Sequence, residues 1–233
     1  MPFPETGLPL TVSRHWFPRA GDRLATVAPA SPGGLSFAGM GKGRLEAFSD
    51  GVLAIIITIM VLEMKPPHGE SLGSLRPLVP VFLSYVLSFS YVGIYWNNHH
   101  HMLHTSTRVT GATLWANLHL LFWLSLFPFA TAWMGENHFA PVPSALYGVV
   151  LLMAAIAYWV LQQTILATEG PDSLLAKAVG RDWKGKLSPF LYLVAIAATF
   201  WSSWIAEAVY VLVALIWLVP DRRIENAVRH EAR

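Results

Sequence analysis

Two acids, Glu46 and Asp50, interrupt a segment that is otherwise apolar, and they lie four residues apart. On a helix this spacing places them on one face, within about 40° of each other. A charge near the middle of a bilayer costs about 2.5–3.5 kcal/mol on insertion scales, so it normally faces a protein interior or water. Carboxylates in such a position can bind protons or cations. A coupled secondary transporter that uses Glu46 and Asp50 is therefore one alternative for this chain.

A second chemically capable group consists of histidines, namely His99, His100, His101 and His104. The i, i+4 spacing of His100 and His104 is compatible with imidazole metal ligands. A metal enzyme of that kind needs several such groups, and only His119 lies in another apolar segment. No nucleophile–base pair, phosphate-binding glycine loop or carboxylate dyad stands out. The sequence therefore predicts no enzyme, no metal and no cofactor, and the histidines are interpreted as interfacial residues at a helix end.

The elements that position these groups are apolar helices. Of 233 residues, 54% are hydrophobic and 13% are charged, and the mean hydropathy is +0.46; soluble domains average about 25% charged residues. Runs free of Asp, Glu, Lys and Arg cover 77–107, 109–135, 137–168, 187–206 and 208–220. A spanning helix needs roughly 20 mostly apolar residues. The predicted fold is all-α, a polytopic membrane protein with six transmembrane helices per subunit.

We place these helices near 44–63, 78–98, 113–134, 144–166, 187–206 and 208–220. A tight turn is predicted near Glu207, with its carboxylate in solvent. Residues 1–43 are rich in Pro and Gly and are predicted to be a disordered cytoplasmic tail. Residues 44–220 form the predicted transmembrane domain, and 221–233 a short cytoplasmic tail.

The basic residues predict the orientation, since Lys and Arg are retained on the cytoplasmic side. With both termini inside, 14 of the 16 basic residues are cytoplasmic, and only Lys65 and Arg76 lie outside. We therefore expect a multi-pass protein of the cell membrane with both ends in the cytoplasm. The formal charge of +2 is too small to indicate a nucleic-acid partner.

The first helix carries a narrow apolar stripe nearly opposite its two acids. Its members fall within about 80° on a helical projection: Phe48, Val52, Ile55, Ile59 and Leu62. The stripe either faces lipid, or several copies of the helix surround an axis and stack it into rings. Such rings would form a hydrophobic constriction that controls ions through the cost of removing their water. The pattern alone leaves both readings open.

The same helix carries a recognisable motif, Arg44-x-x-x-Phe48-Ser49-Asp50, followed by an Ile-rich run that ends Val61-Leu62-Glu63. With Tyr95-Trp96-Asn97-Asn98-His99-His100, Trp115-x-Asn117 and Pro128-Phe129, it resembles the prokaryotic members of one channel family. This is the family of the endosomal and lysosomal potassium channel called transmembrane protein 175. The resemblance covers roughly residues 42–220.

The resemblance implies a potassium-permeable cation channel assembled as a homotetramer in the lipid bilayer, with the first helix lining a central pore. By position, the constriction residues are Ile55, Ile59 and Leu62, and Thr58 matches a hydroxyl position linked to selectivity. A supporting polar network is implied as well. Its members are Arg44, Phe48, Ser49, Asp50, Trp96, Asn98, His99, His100, Trp115 and Asn117. Monovalent cations are the implied permeant partners, and no Thr-Val-Gly-Tyr-Gly filter occurs in the chain.

Overall fold

The computed structural model describes residues 41–171, 173, 175–176 and 183–218. Within these residues the chain is helical and contains no strand. The elements are α1 (Lys42–Leu62), a 3₁₀ helix (Leu72–Leu78), α2 (Val79–His104), α3 (Gly111–Ser125), α4 (Phe127–Glu136), α5 (Pro141–Glu169), α6 (Trp183–Thr199) and α7 (Ser203–Leu218). The predicted tails lie outside the described residues, apart from residues 41–43, and α1 begins within the predicted tail at Lys42.

Four helical stretches are long and apolar enough to cross a membrane: Lys42–Leu62, Leu72–His104, Gly111–Glu136 and Pro141–Glu169. Two shorter helices follow, α6 with 17 residues and α7 with 16. These six stretches correspond one to one with the six predicted helices. The predicted all-α, six-helix membrane fold is therefore confirmed in the described part of the chain.

The third spanning segment is broken in the middle. α3 ends at Ser125 and α4 starts at Phe127, with Leu126 between them. Pro128 explains the break, because it has no backbone N–H to donate to the preceding turn and its ring clashes with that turn. The sequence predicted one continuous helix over 113–134, whereas the structure divides this single span into α3 and α4.

The predicted turn at Glu207 is wrong in position. α6 ends at Thr199 and α7 begins at Ser203, so the turn lies at 200–202 and Glu207 is inside α7. Glu207 is only 8% exposed, and the Ser144 hydroxyl donates to its carboxylate at 2.8 Å. A hydrogen-bond partner inside the bundle therefore removes the need for this acid to lie in a solvated turn.

The helices pack so that α1 contacts α2, α3 and α4, while α5 lies against α3, α4, α6 and α7. Two glycines permit the closest approaches. A Cβ at Gly135 would lie 2.8 Å from the backbone Cα of Val81 on α2. A Cβ at Gly148 would lie 2.7 Å from the side chain of Ile196 and closer still to the Tyr210 hydroxyl. These contacts hold α4 on α2, and α5 on α6 and α7.

Candidate functional site

The first helix has two distinct faces. One face is buried against α2, α3 and α4. Its residues recur at helical spacing: Leu45, Ser49, Leu53, Ile56 and Met60. The opposite face is exposed in the single chain although it is strongly apolar. A soluble protein would leave few large apolar side chains in this position, so a membrane, a pore or another subunit must cover them.

The three residues assigned to a constriction all lie on this exposed face. The exposed fractions are 58% for Ile55, 40% for Ile59 and 78% for Leu62. At 100° per residue they fall within about 60° of one another. Thr58 is also exposed, and its hydroxyl donates to the backbone carbonyl of Ile55 at 2.9 Å. The donor of Thr58 is therefore engaged inside the helix, while its oxygen lone pairs remain free to accept.

The buried face of α1 is held by a hydrogen-bonded chain that crosses three helices. Asn117 on α3 donates from Nδ2 to the Ser49 hydroxyl at 3.0 Å, and Ser49 donates to the carbonyl of Leu45 at 2.9 Å. The amide oxygen of Asn117 lies 2.7 Å from Nε2 of His99 on α2. Since that oxygen can only accept, His99 carries its proton on Nε2. Ser49, Asn117 and His99 are each at most 2% exposed.

A second contact joins α1 and α2 closer to the exposed face. The indole N–H of Trp96 donates to Oδ1 of Asp50 at 3.0 Å. The Trp96 ring stacks on His100 with centroids 6.2 Å apart and an interplanar angle of 25°. Asp50 itself is exposed in the single chain. Within one subunit the structure thus brings together Asp50 and Trp96 of the implied network.

The remaining residues of the implied network do not join it in the described part of one chain. Arg44 and Phe48 are exposed on the stripe side of α1, and Trp115 is 75% exposed on α3. Asn98 turns away, because its amide donates to the carbonyl of Ile94 in its own helix. The ion pair formed by α1 is instead Lys42 with Glu46, at 4.0 Å.

Two further contacts, which the sequence patterns did not indicate, fix the end of the bundle that holds the N-terminus of α1. Lys42 donates from Nζ to the carbonyl of His104 at 2.9 Å, joining α1 to the end of α2. Glu169 accepts the backbone N–H groups of Thr107 at 2.6 Å and Arg108 at 3.2 Å. Gly170 ends α5 directly after Glu169 with φ +88°, a conformation that favours glycine. We call these contacts of Glu169 with Thr107 and Arg108 the Glu169 clamp. In the sequence, only the position of Glu169 directly before Gly170 could have indicated it.

No group of three or more His, Cys, Asp or Glu side chains that could hold a metal occurs among the described residues. His100 stacks on Trp96 instead, and its ring also lies edge-on to that of His101 and tilted against that of His104. The described residues thus give α1 an exposed apolar stripe and a buried face that is held by the hydrogen-bonded chain of Ser49, Asn117 and His99.

Comparison with known proteins shows which proteins this chain is similar to. Residues 44–128 match the family described as the endosomal/lysosomal potassium channel TMEM175. A potassium channel of Chryseobacterium sp. (strain P1-3) is 57% identical over 190 residues, which cover 82% of this chain and 99% of the relative. A potassium channel of Chamaesiphon minutus is 34% identical over 74% of this chain and 91% of its own length.

The solved structure of a lysosomal potassium-selective channel TMEM175 homolog from Chamaesiphon minutus superimposes with a TM-score of 0.68. It is 32% identical and covers 76% of this chain and 96% of that chain. The human endosomal/lysosomal proton channel TMEM175 is 36% identical over 87 residues, which are 31% of this chain and 17% of the human protein. The resemblance found in the sequence motifs is confirmed.

These relatives are ion channels and not enzymes, and they give no support to the secondary transporter built on Glu46 and Asp50. The apolar helices of this chain and its match to this family of channels make it a multi-pass membrane protein that acts on cations. The chain belongs to the TMEM175 family of cation channels.

Proposed function

We propose that this chain is a potassium-permeable channel, a homotetramer in which four α1 helices surround the pore and Ile55, Ile59 and Leu62 form its constriction. The observation that carries the proposal is the exposed stripe on α1. These branched side chains share one face while the opposite face is tied to α2 and α3 through Ser49. The relatives named potassium channels support the choice of a pore over a lipid-facing stripe.

Selectivity then follows from dehydration. Rings of apolar side chains offer no oxygen to replace the water of an ion, so the ion must shed part of its shell where the path narrows. Potassium holds its water less tightly than sodium and therefore meets the smaller barrier. No Thr-Val-Gly-Tyr-Gly carbonyl filter occurs in the sequence. We expect modest discrimination, with the lone pairs of Thr58 as the nearest polar ligand to the Ile55 ring.

Electrical recording of the purified protein in planar bilayers tests this function. Unitary steps are expected, with a reversal potential displaced toward the potassium equilibrium potential when potassium and sodium gradients oppose each other. A proton gradient imposed in the same membrane separates potassium from proton permeation, since vertebrate relatives are named proton channels. Cation flux without unitary current steps, from well-folded protein, would contradict a channel and would favour the secondary transporter that uses Glu46 and Asp50.

Residues of α1 that are exposed in the single chain support the tetramer. Arg44, Phe48 and Asp50 are exposed in one chain although they belong to the motif of the first helix, which is expected if a neighbouring subunit covers them. Native mass spectrometry in mild detergent should give four copies. A dominant monomer or dimer in that measurement, with the protein still conducting in bilayers, would contradict the tetramer.

The proposed orientation places both termini in the cytoplasm of the cell. The chain has no cysteine, so single-cysteine variants can be made without first replacing native cysteines. Lys65→Cys, between α1 and α2, should react with a membrane-impermeant maleimide on intact cells. Lys186→Cys, near the start of α6, should react only after the cells are opened. The reverse pattern would invert the topology.

A further inference from the structure

A cavity lies between α2, α5, α6 and α7, away from the stripe on α1. Its volume is about 50 Å³, and no residue of α1 lines it. The cavity lies toward the end of the bundle that holds the N-terminus of α1, since Asn98 and Ser188 both border it. One water needs about 10–15 Å³ of such volume, so a few waters fit.

The walls of the cavity are mostly aromatic. Six rings line it: Tyr91, Tyr95, Tyr158, Trp159, Tyr192 and Trp217. Several rings are fixed in place, because the Trp217 indole donates to the Ser188 hydroxyl at 2.8 Å and Tyr91 donates to the carbonyl of Tyr210 at 2.6 Å. Trp159 is 56% exposed, so one ring of this wall also lies at the outer surface of the helices. A rigid aromatic pocket is suited to a small ligand.

Two buried polar groups of this pocket, the amide of Gln162 and the hydroxyl of Tyr95, have no side-chain hydrogen bond with another described residue. Gln162 is only 6% exposed, and its amide has no hydrogen-bond partner among the described residues. Every fully enclosed side-chain nitrogen or oxygen of the described residues does have a partner. The Gln162 amide must therefore border the cavity. By contrast, the Asn98 and Ser188 side chains already donate to the carbonyls of Ile94 and Lys184.

The charge of the lining decides the class of ligand. None of the described lining residues is Asp, Glu, Lys, Arg or His. The described lining residues offer an ion entering this pocket no counter-charge for the water that it loses, and cation–π contacts recover only part of that loss. An uncharged ring loses little water and gains offset or edge contacts with the aromatic walls. The amide of Gln162 offers one donor and one acceptor group to a polar substituent.

We propose that this cavity binds a small, uncharged aromatic molecule that carries one hydrogen-bonding group, of the size of a phenol. The polar group pairs with the amide of Gln162. Benzene occupies a cavity of about 150 Å³ in a known case, so part of the ligand ring extends beyond the 50 Å³ of this cavity. The site is separate from the proposed pore and does not depend on it.

Binding of 4-fluorophenol to the purified full-length protein in lipid nanodiscs tests the proposal, with ¹⁹F NMR as the readout and empty nanodiscs as the background. Saturable binding is expected. Gln162→Met keeps the volume of the side chain and removes the amide, so it should weaken binding about tenfold, the effect of one lost hydrogen bond. Gln163→Met is the matched control, because Gln163 is adjacent and exposed, and it should bind as the wild type does.

Fluorobenzene separates the contribution of the amide contact from that of the aromatic walls. Because it lacks the hydroxyl, its affinity should be the same for the wild type and Gln162→Met. Ala155→Phe fills the cavity from α5 and should abolish binding of both probes. Uptake by the wild type equal to that of empty nanodiscs would overturn the proposal. Equal binding to Gln162→Met and Gln163→Met would also overturn it, as would undiminished binding to Ala155→Phe.

Discussion

The amide of Asn117 donates to the hydroxyl of Ser49 over 3.0 Å, joining α3 to α1 at a point where neither side chain is exposed. Ser49 lies about 120° around the helix from Ile55. The bond therefore fixes the rotation of α1 with the apolar stripe turned away from α3. If the stripe forms the proposed constriction, this bond determines which side chains reach the pore.

Removing the amide of Asn117 should destabilise the bundle. Asn117→Leu has a similar volume but leaves Ser49 without its donor and His99 without its acceptor, inside a buried site. We expect a loss of about 1–3 kcal/mol, as for other buried groups left unpaired. The measurement is the apparent melting temperature of the purified protein in detergent.

Asn98→Leu is the control for that variant, because the Asn98 side chain donates only within its own helix, to Ile94. Its melting temperature should fall less than that of Asn117→Leu. Equal losses in the two variants would mean that the bond to Ser49 adds nothing to the stability of α1.

The contact of Trp96 with Asp50 should behave as a coupled pair. Trp96→Phe removes the indole donor and retains a ring beside His100, while Asp50→Leu removes the acceptor. We expect a coupling energy of about 0.5–1.5 kcal/mol in a double-mutant cycle on thermal stability. Effects that add within about 0.3 kcal/mol would show that the two groups do not interact.

The clamp at Glu169 should stabilise the connection between α2 and α3. Its carboxylate accepts two backbone N–H groups and the hydroxyls of Ser106 and Thr107. Glu169→Ala should cost about 1–2 kcal/mol, reduced by solvent exposure, and should increase proteolysis near Thr107. Glu136→Ala is the control, since Glu136 is exposed at the end of α4. Equal protease sensitivity in both variants would contradict the clamp.

The sequence predicted the helices well because a bilayer imposes a simple rule on them. Four of the six predicted spans lie in runs of 20 or more residues without Asp, Glu, Lys or Arg, and such runs are visible without any structure. The rule failed where local chemistry overrides it. Glu207 was assigned to a turn because it separates two apolar runs, yet it lies inside the bundle, where the Ser144 hydroxyl donates a hydrogen bond to its carboxylate. Pro128 was visible, but the continuous apolar run concealed its effect on the third span.

The candidate site was predicted less completely. Periodicity separates the stripe of Ile55 and Ile59 from the acids, and the structure places both isoleucines on the exposed face. Their role in a constriction stays a prediction. The resemblance named Ser49 and Asn117 as members of one polar network but did not pair them, because hydrogen bonds between distant segments leave no periodic signal. Trp115 has no such partner within the described part of one chain.

The most direct measurement of the proposed constriction is single-channel recording of Ile59→Asn beside the wild type and Val61→Asn. Both positions are exposed on α1, at 40% and 42%, but Val61 lies about 160° around the helix from Ile59. A polar ring at Ile59 should raise unitary conductance and reduce the preference for potassium over sodium, while Val61→Asn should leave both near the wild-type values. Currents unchanged by Ile59→Asn, or altered equally by Val61→Asn, would contradict a constriction formed by this stripe.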